Sequence, residues 1–91
     1  MEVPKTDPLE ISVNIYPNPA SDILNIAIYA DSSLGEYTLK IFNYGGVLLY
    51  QDIMNMEKSV NLKEYSIGPG VYLVRIEGKK YTATRKLVVT W

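Results

Sequence analysis

Apolar positions along this chain alternate or gather in short β-branched and aromatic runs. No stretch repeats them at the 3.6-residue spacing of a helix. Leu24, Ile26 and Ile28 fall on one parity of their run. Tyr37, Leu39 and Ile41 do the same against Thr38 and Lys40, and Tyr72, Val74 and Ile76 against Arg75. Leu87 and Val89 oppose Lys86, Val88 and Thr90. Such period-two patterning, bounded by Gly, Pro, Asn, Asp and Ser, predicts strands. They are expected at Ile11–Tyr16, Ile23–Tyr29, Glu36–Asn43, Val47–Ile53, Ser59–Leu62, Val71–Glu77 and Tyr81–Thr90. From Val47 to Tyr50 both parities are apolar, so the pattern chooses no face. About seven short strands at this turn spacing predict an all-β fold, an immunoglobulin-like antiparallel β-sandwich.

The breaks carry their own chemistry. Between the first two strands lies Tyr16-Pro17-Asn18-Pro19-Ala20-Ser21-Asp22. Proline fixes φ and has no N–H, so Pro17 and Pro19 each forbid a continued ladder. Asn18 and Asp22 can bond local backbone and support a rigid turn. Gly45-Gly46 predicts a tight hairpin of the type that needs φ > 0 at both central residues. Gly68-Pro69-Gly70 predicts a second reversal. No strand-to-helix transition and no Lys-Ser/Thr pair follows it, so a phosphate-cradling loop is not indicated.

At 91 residues, 47% of them hydrophobic, the chain suits one domain with one core. Residues 1–10 are polar and carry prolines, and are expected to be a linker from the rest of a longer protein; 11–91 form the domain. No apolar run reaches the roughly 20 residues of a membrane-spanning helix. The net charge of −1 argues against nucleic acid as a partner. The charge is uneven, however: every acid lies at or before Glu77, and Lys79, Lys80, Arg85 and Lys86 follow with none. That basic terminal segment is expected to steer the encounter with an acidic or anionic partner.

Catalytic chemistry is hard to assemble here. The absence of Cys and His removes the usual nucleophile–base pairs and the preferred zinc ligands. Asp31-Ser32-Ser33 lacks the spacing of a calcium loop. The reading is therefore of a protein that is not an enzyme and holds no cofactor or metal. Of the 8 tyrosines, Tyr16, Tyr29, Tyr44 and Tyr50 are the candidates for an exposed sugar-binding platform, against the commoner role of packing.

Three blocks in order carry a family resemblance: Tyr16 through Asp22 with Leu24 and Ile26; Leu39-Lys40-Ile41-Phe42-Asn43-Tyr44-Gly45; and Leu62 through Ile67, then Gly70-Val71-Tyr72-Leu73-Val74-Arg75-Ile76 and Lys86-Leu87-Val88-Val89. The chain resembles the C-terminal sorting domain of the type IX (Por) secretion system of Bacteroidetes, type A. It departs at Gly46, where a basic residue is common, at Gly68-Pro69, and in ending on Trp91.

The resemblance implies export: a signal by which a cargo crosses the outer membrane, usually removed by a sortase-like cysteine peptidase. The implied partners are the outer-membrane translocon, that peptidase and the N-terminal cargo. The implied path runs through the periplasm to the cell surface or beyond. The positions that match the family's signal motif are Pro17, Asn18, Pro19, Gly45, Gly70, Tyr72, Lys86, Leu87, Val88 and Val89. Lys86 to Val89 are expected to offer an open strand edge to the translocon. The rival reading is an immunoglobulin-like carbohydrate-binding or adhesion module.

Overall fold

The computed structural model describes residues 12–29, 36–79 and 82–90. Seven strands follow in order: β1 (Ser12–Tyr16), β2 (Ile23–Tyr29), β3 (Tyr37–Asn43), β4 (Leu48–Met54), β5 (Glu57–Asn61), β6 (Gly70–Glu77) and β7 (Thr82–Val89). They form two antiparallel sheets, β1-β2-β5 and β4-β3-β6-β7. In a constant-type immunoglobulin sandwich the fourth strand joins the sheet of the first two. Here β4 stays beside β3, and the chain changes sheets over residues 55 and 56. The expected linker, residues 1–10, lies outside the described residues, as does most of the β2–β3 connection.

The predicted parities become the inner faces. Leu24, Ile26 and Ile28 from one sheet meet Leu39, Ile41, Val74, Ile76 and Leu87 from the other, all buried in one core. Full burial of such a side chain contributes about 1.5–3 kcal/mol. Among the described residues no polar or charged one is buried. Tyr37 is deeply buried, and its hydroxyl has no hydrogen-bond partner among the described residues. A desolvated, unpartnered hydroxyl costs about 1–3 kcal/mol. Tyr37→Phe is therefore expected to raise the thermal midpoint, and a lowered midpoint would show that the hydroxyl is paired.

Two local expectations are corrected and one open choice is settled. Gly45-Gly46 is not a turn with two positive φ values. Only Gly46 has one (94°), and Gly46 N–H donates to the Asn43 carbonyl at 3.0 Å. The Asn43 side chain supplies the rest, accepting from Gly45 and Val47 N–H groups at 2.9 Å each. A left-handed glycine closing a turn is the second common hairpin solution, and it is accompanied here by a register shift that leaves Leu49 unpaired. That shift settles the ambiguous run: Tyr50 turns inward while Leu48 and Leu49 stay exposed. The fifth strand begins at Glu57, earlier than expected, and stops at Asn61. There the Asn61 side chain accepts from Lys63 N–H at 3.2 Å and starts a 3₁₀ turn, Leu62–Tyr65, ended by Ser66 at φ 60°.

A small cluster joins the sheets on the β4–β5 side. The Tyr50 ring packs edge-on against Tyr65 at 4.6 Å. Asp52 receives Lys58 at 2.9 Å and the Ile53 N–H at 2.8 Å, which together hold its carboxyl below the ordinary value. Lys58 is raised by the same carboxylate, and Tyr50 is raised chiefly by burial. A carboxyl lowered on folding adds stability above its unfolded pKa and loses it as pH falls through the folded one. Asp52→Asn should thus lower the thermal midpoint at neutral pH, with the gap to the parent closing on acidification. A gap constant down to pH 2 would remove Asp52 as its source.

Candidate recognition site

The corner after β1 lies against the last strand. The peptide bonds Tyr16–Pro17 and Asn18–Pro19 are both cis. Neither proline has an N–H, so the hydrogen-bonding capacity of this stretch rests on Asn18 and Ala20. Both are used on β7. The Asn18 amide donates to the Lys86 carbonyl at 2.9 Å and its oxygen accepts from Val88 N–H at 3.0 Å. One step on, Ala20 N–H donates to the Val88 carbonyl and Thr90 N–H to the Ala20 carbonyl, each at 2.8 Å. The side-chain amide of Asn18 thus stands in for a peptide group and extends a short parallel bridge between Ala20 and Val89.

Other bonds fix the corner from behind. Asn25 donates to the Tyr16 carbonyl at 3.2 Å and accepts from the Ser59 hydroxyl at 2.7 Å. The Asp22 carbonyl accepts from Leu62 N–H at 2.8 Å, and its carboxylate meets Lys63 at 3.2 Å. Ala20 itself is fully buried, so the corner is both bonded to the last strand and packed on the core.

Register gathers most of the expected motif positions at one pole of the sandwich. Asn43 lies across from Tyr72, Tyr72 from Leu87, and Gly70 from Val89, which bridges to Ala20. The Gly45 turn, Gly70, Tyr72, Leu87, Val88, Val89 and the corner Pro17-Asn18-Pro19 therefore share that pole, with Lys86 beside them. Gly70 has φ 154°, and an added Cβ would lie 3.4 Å from the Tyr72 hydroxyl. That hydroxyl donates to the Gly68 carbonyl at 2.6 Å, so Tyr72 spans the reversal and packs on the core at once.

The basic residues are dispersed. Lys79 follows β6 at the opposite pole, roughly 23 Å away along seven strand steps. Lys80 lies outside the described residues. Arg85 points inward at the seam between the sheets, where it donates to the Val13 carbonyl at 3.2 Å and to the Thr84 carbonyl at 3.0 Å. It staples β7 to β1 and is not a free surface charge. Lys86 alone of the four is exposed on β7 at the motif pole.

The open edge expected at Lys86 to Val89 is likewise replaced. The Lys86 carbonyl, the Val88 N–H and carbonyl, and the Thr90 N–H all face the corner and are bonded to it. The signal for this lay in the sequence, since an asparagine between two residues without donors must use its side chain. Its partner strand, 68 to 70 residues away, was not visible there.

The tyrosine platform does not assemble. Tyr50 is in the core, and Tyr16 and Tyr29 sit at opposite ends of the β1–β2 ladder. Among the described residues no group of three or more Asp and Glu could hold a metal ion. No helix among them is long and apolar enough to cross a membrane.

A family model described as the secretion system C-terminal sorting domain matches residues 14–90, a span that includes both the corner and the last strand. Among solved structures, the chain is similar to part of dimeric latent PorU from Porphyromonas gingivalis, with a TM-score of 0.65 and 17% identity over 88% of this chain. That likeness concerns the fold, and the present chain spans only 9% of the PorU chain. No curated protein matches it. With the match covering nearly all of the strands described above, the chain belongs to the family of secretion system C-terminal sorting domains, the signals for export by type IX secretion.

Proposed function

We propose that this domain is the C-terminal address of a longer secreted protein, itself without catalytic activity. The address is read on the folded sandwich at the pole formed by the corner and the end of β7. The observation that carries this reading is the family match over residues 14–90 together with the collection of the motif positions at that pole. The domain folds in the periplasm, meets the outer-membrane translocon, and delivers its N-terminal cargo to the surface or the medium. Residues 1–10 are the linker in which a sortase-like cysteine peptidase cuts. Pro17, Pro19, Gly45 and Gly70 act by shaping the pole, and Asn18 by holding the last strand to it.

The test is a fluorescent protein with an export signal at its N-terminus and this chain at its C-terminus, produced in a host with type IX secretion. Fluorescence is expected outside the cells or on their surface, and within the cells when the translocon is deleted. Equal retention with and without the translocon would overturn the reading. Sequencing the released reporter locates the cut, and a C-terminus beyond Ile11 would displace it from the linker.

A further inference from the structure

We propose that the outer face of the β4-β3-β6-β7 sheet is the surface by which this domain docks on the secretion machinery, and that its partner is an extended protein segment offering carboxylates beside aliphatic side chains. The inference rests on the sorting function and extends its contact from the motif pole, at Val71 and Val88, onto this face.

The edges of the four-stranded sheet are poorly suited to accept another strand. β7 is closed by the corner and by Arg85 reaching β1. β4 carries the irregularity at Leu49 and an edge carboxylate, Asp52, bound to Lys58. Bulges and edge charges of this kind oppose strand addition. A face is left.

The two outer faces differ in chemistry. That of β1-β2-β5 presents Asn14, Asn25, Ser59 and Asn61 beside exposed Tyr16, Ile23 and Tyr29, and its strands turn no cation outward. On the other, register sets Leu48, Phe42, Leu73 and Lys86 in one row across all four strands. Val71 and Val88 form the row nearer the motif pole. Leu48 and Val71 remain 44% and 37% exposed. The next row brings Lys40 directly opposite Arg75. Like charges in that position repel, and one carboxylate serves both: Glu77 meets Lys40 at 3.0 Å and Arg75 at 3.2 Å. Among the described residues Lys86 has no acidic counterpart on this face. The strands of the face thus hold three cations against one carboxylate, on a chain whose net charge is −1. Between Phe42, Leu73, Arg75, Thr84 and Gly46 lies a shallow groove of about 410 Å³, apolar on one side and cationic on the other. Charge complementarity selects an acidic partner, and the apolar row selects one with aliphatic side chains beside its acids.

The test uses the same fluorescent fusion with the full chain. Arg75→Glu with Lys86→Glu should lower export at least tenfold, and Arg75→Lys with Lys86→Arg should retain it. Ser12→Glu with Asn14→Glu, on the other face, should leave it unchanged. Thermal unfolding of each purified variant checks the fold. A photo-crosslinker at Val71 of the otherwise unchanged domain gives an answer that needs no charge reversal: it should capture an outer-membrane protein, and one at Asn14 should not. Retention of the unsubstituted fusion would overturn the sorting function and this contact with it. Export of the double charge reversal at the parental rate, crosslinks from Asn14 alone, or crosslinks to lipid alone would overturn this contact only.

Discussion

Leu87→Ala is expected to cost about 2–5 kcal/mol of folding free energy, the usual range for truncating a fully buried leucine. Leu87 is fully buried, on an edge strand with a single hydrogen-bonded neighbour strand. The cavity would open where β7 meets Tyr72 on β6, close to the bridge between Ala20 and Val89. Against the 5–15 kcal/mol typical of a domain, this is a large fraction. A loss of about 3 kcal/mol would lower the thermal midpoint of so small a domain by roughly 15 °C. Urea or thermal unfolding would measure it, and a shift of under 3 °C would mean that the strand is not bound as described. The same geometry changes how a truncation reads. Removing residues 86–91 deletes Leu87 and Val89 from the core, so loss of export in that deletion would report unfolding as well as a lost address.

The second large effect is expected at Asn18, and its interest is local. Asn18→Ala removes both bonds to β7, and two hydrogen bonds at about 0.5–1.5 kcal/mol each predict a loss of about 1–3 kcal/mol. Asn18→Asp keeps an acceptor for Val88 N–H but sets a carboxylate against the Lys86 carbonyl, where a donor stood. Amide hydrogen exchange separates the two. Val88 N–H should lose its protection in the alanine variant and keep much of it in the aspartate variant, while both variants lose stability. Full protection of Val88 in the alanine variant would show that the strand is held by other means. Export of each fusion, measured beside exchange, then tells whether a held strand is what the machinery reads.

What was legible in the sequence followed from local rules. The run Ile23–Tyr29 was bounded as the strand is, because Asp22 and the prolines before it set a sharp limit. The inward residues of β2, β3, β6 and β7 followed from parity, since only one face of each strand meets the core. Turn detail was less legible. At Asn43 the deciding group is a side-chain carbonyl that accepts twice, and this displaced the double-glycine turn the residues suggested. At Asn61 a similar side-chain bond ended β5 one residue early, so that Leu62 entered the core from a 3₁₀ turn. Long-range ties were not legible at all. A charge count set Arg85 among the free cations of the terminal segment, although β7 alternation turns it inward toward Val13. The binding of the corner to the last strand is of the same kind, since no periodicity relates Asn18 to Val88.

One consequence follows from the direction of β1. It starts at Ser12, across from Tyr29, and runs to Tyr16 at the corner. The described chain thus begins roughly 13 Å along the strand from the corner. That end of the strand is set apart from the surface around Asn18 and Lys86. Under the proposed function, a blade working ahead of Ser12 and a receptor gripping the signature would then have separate footholds.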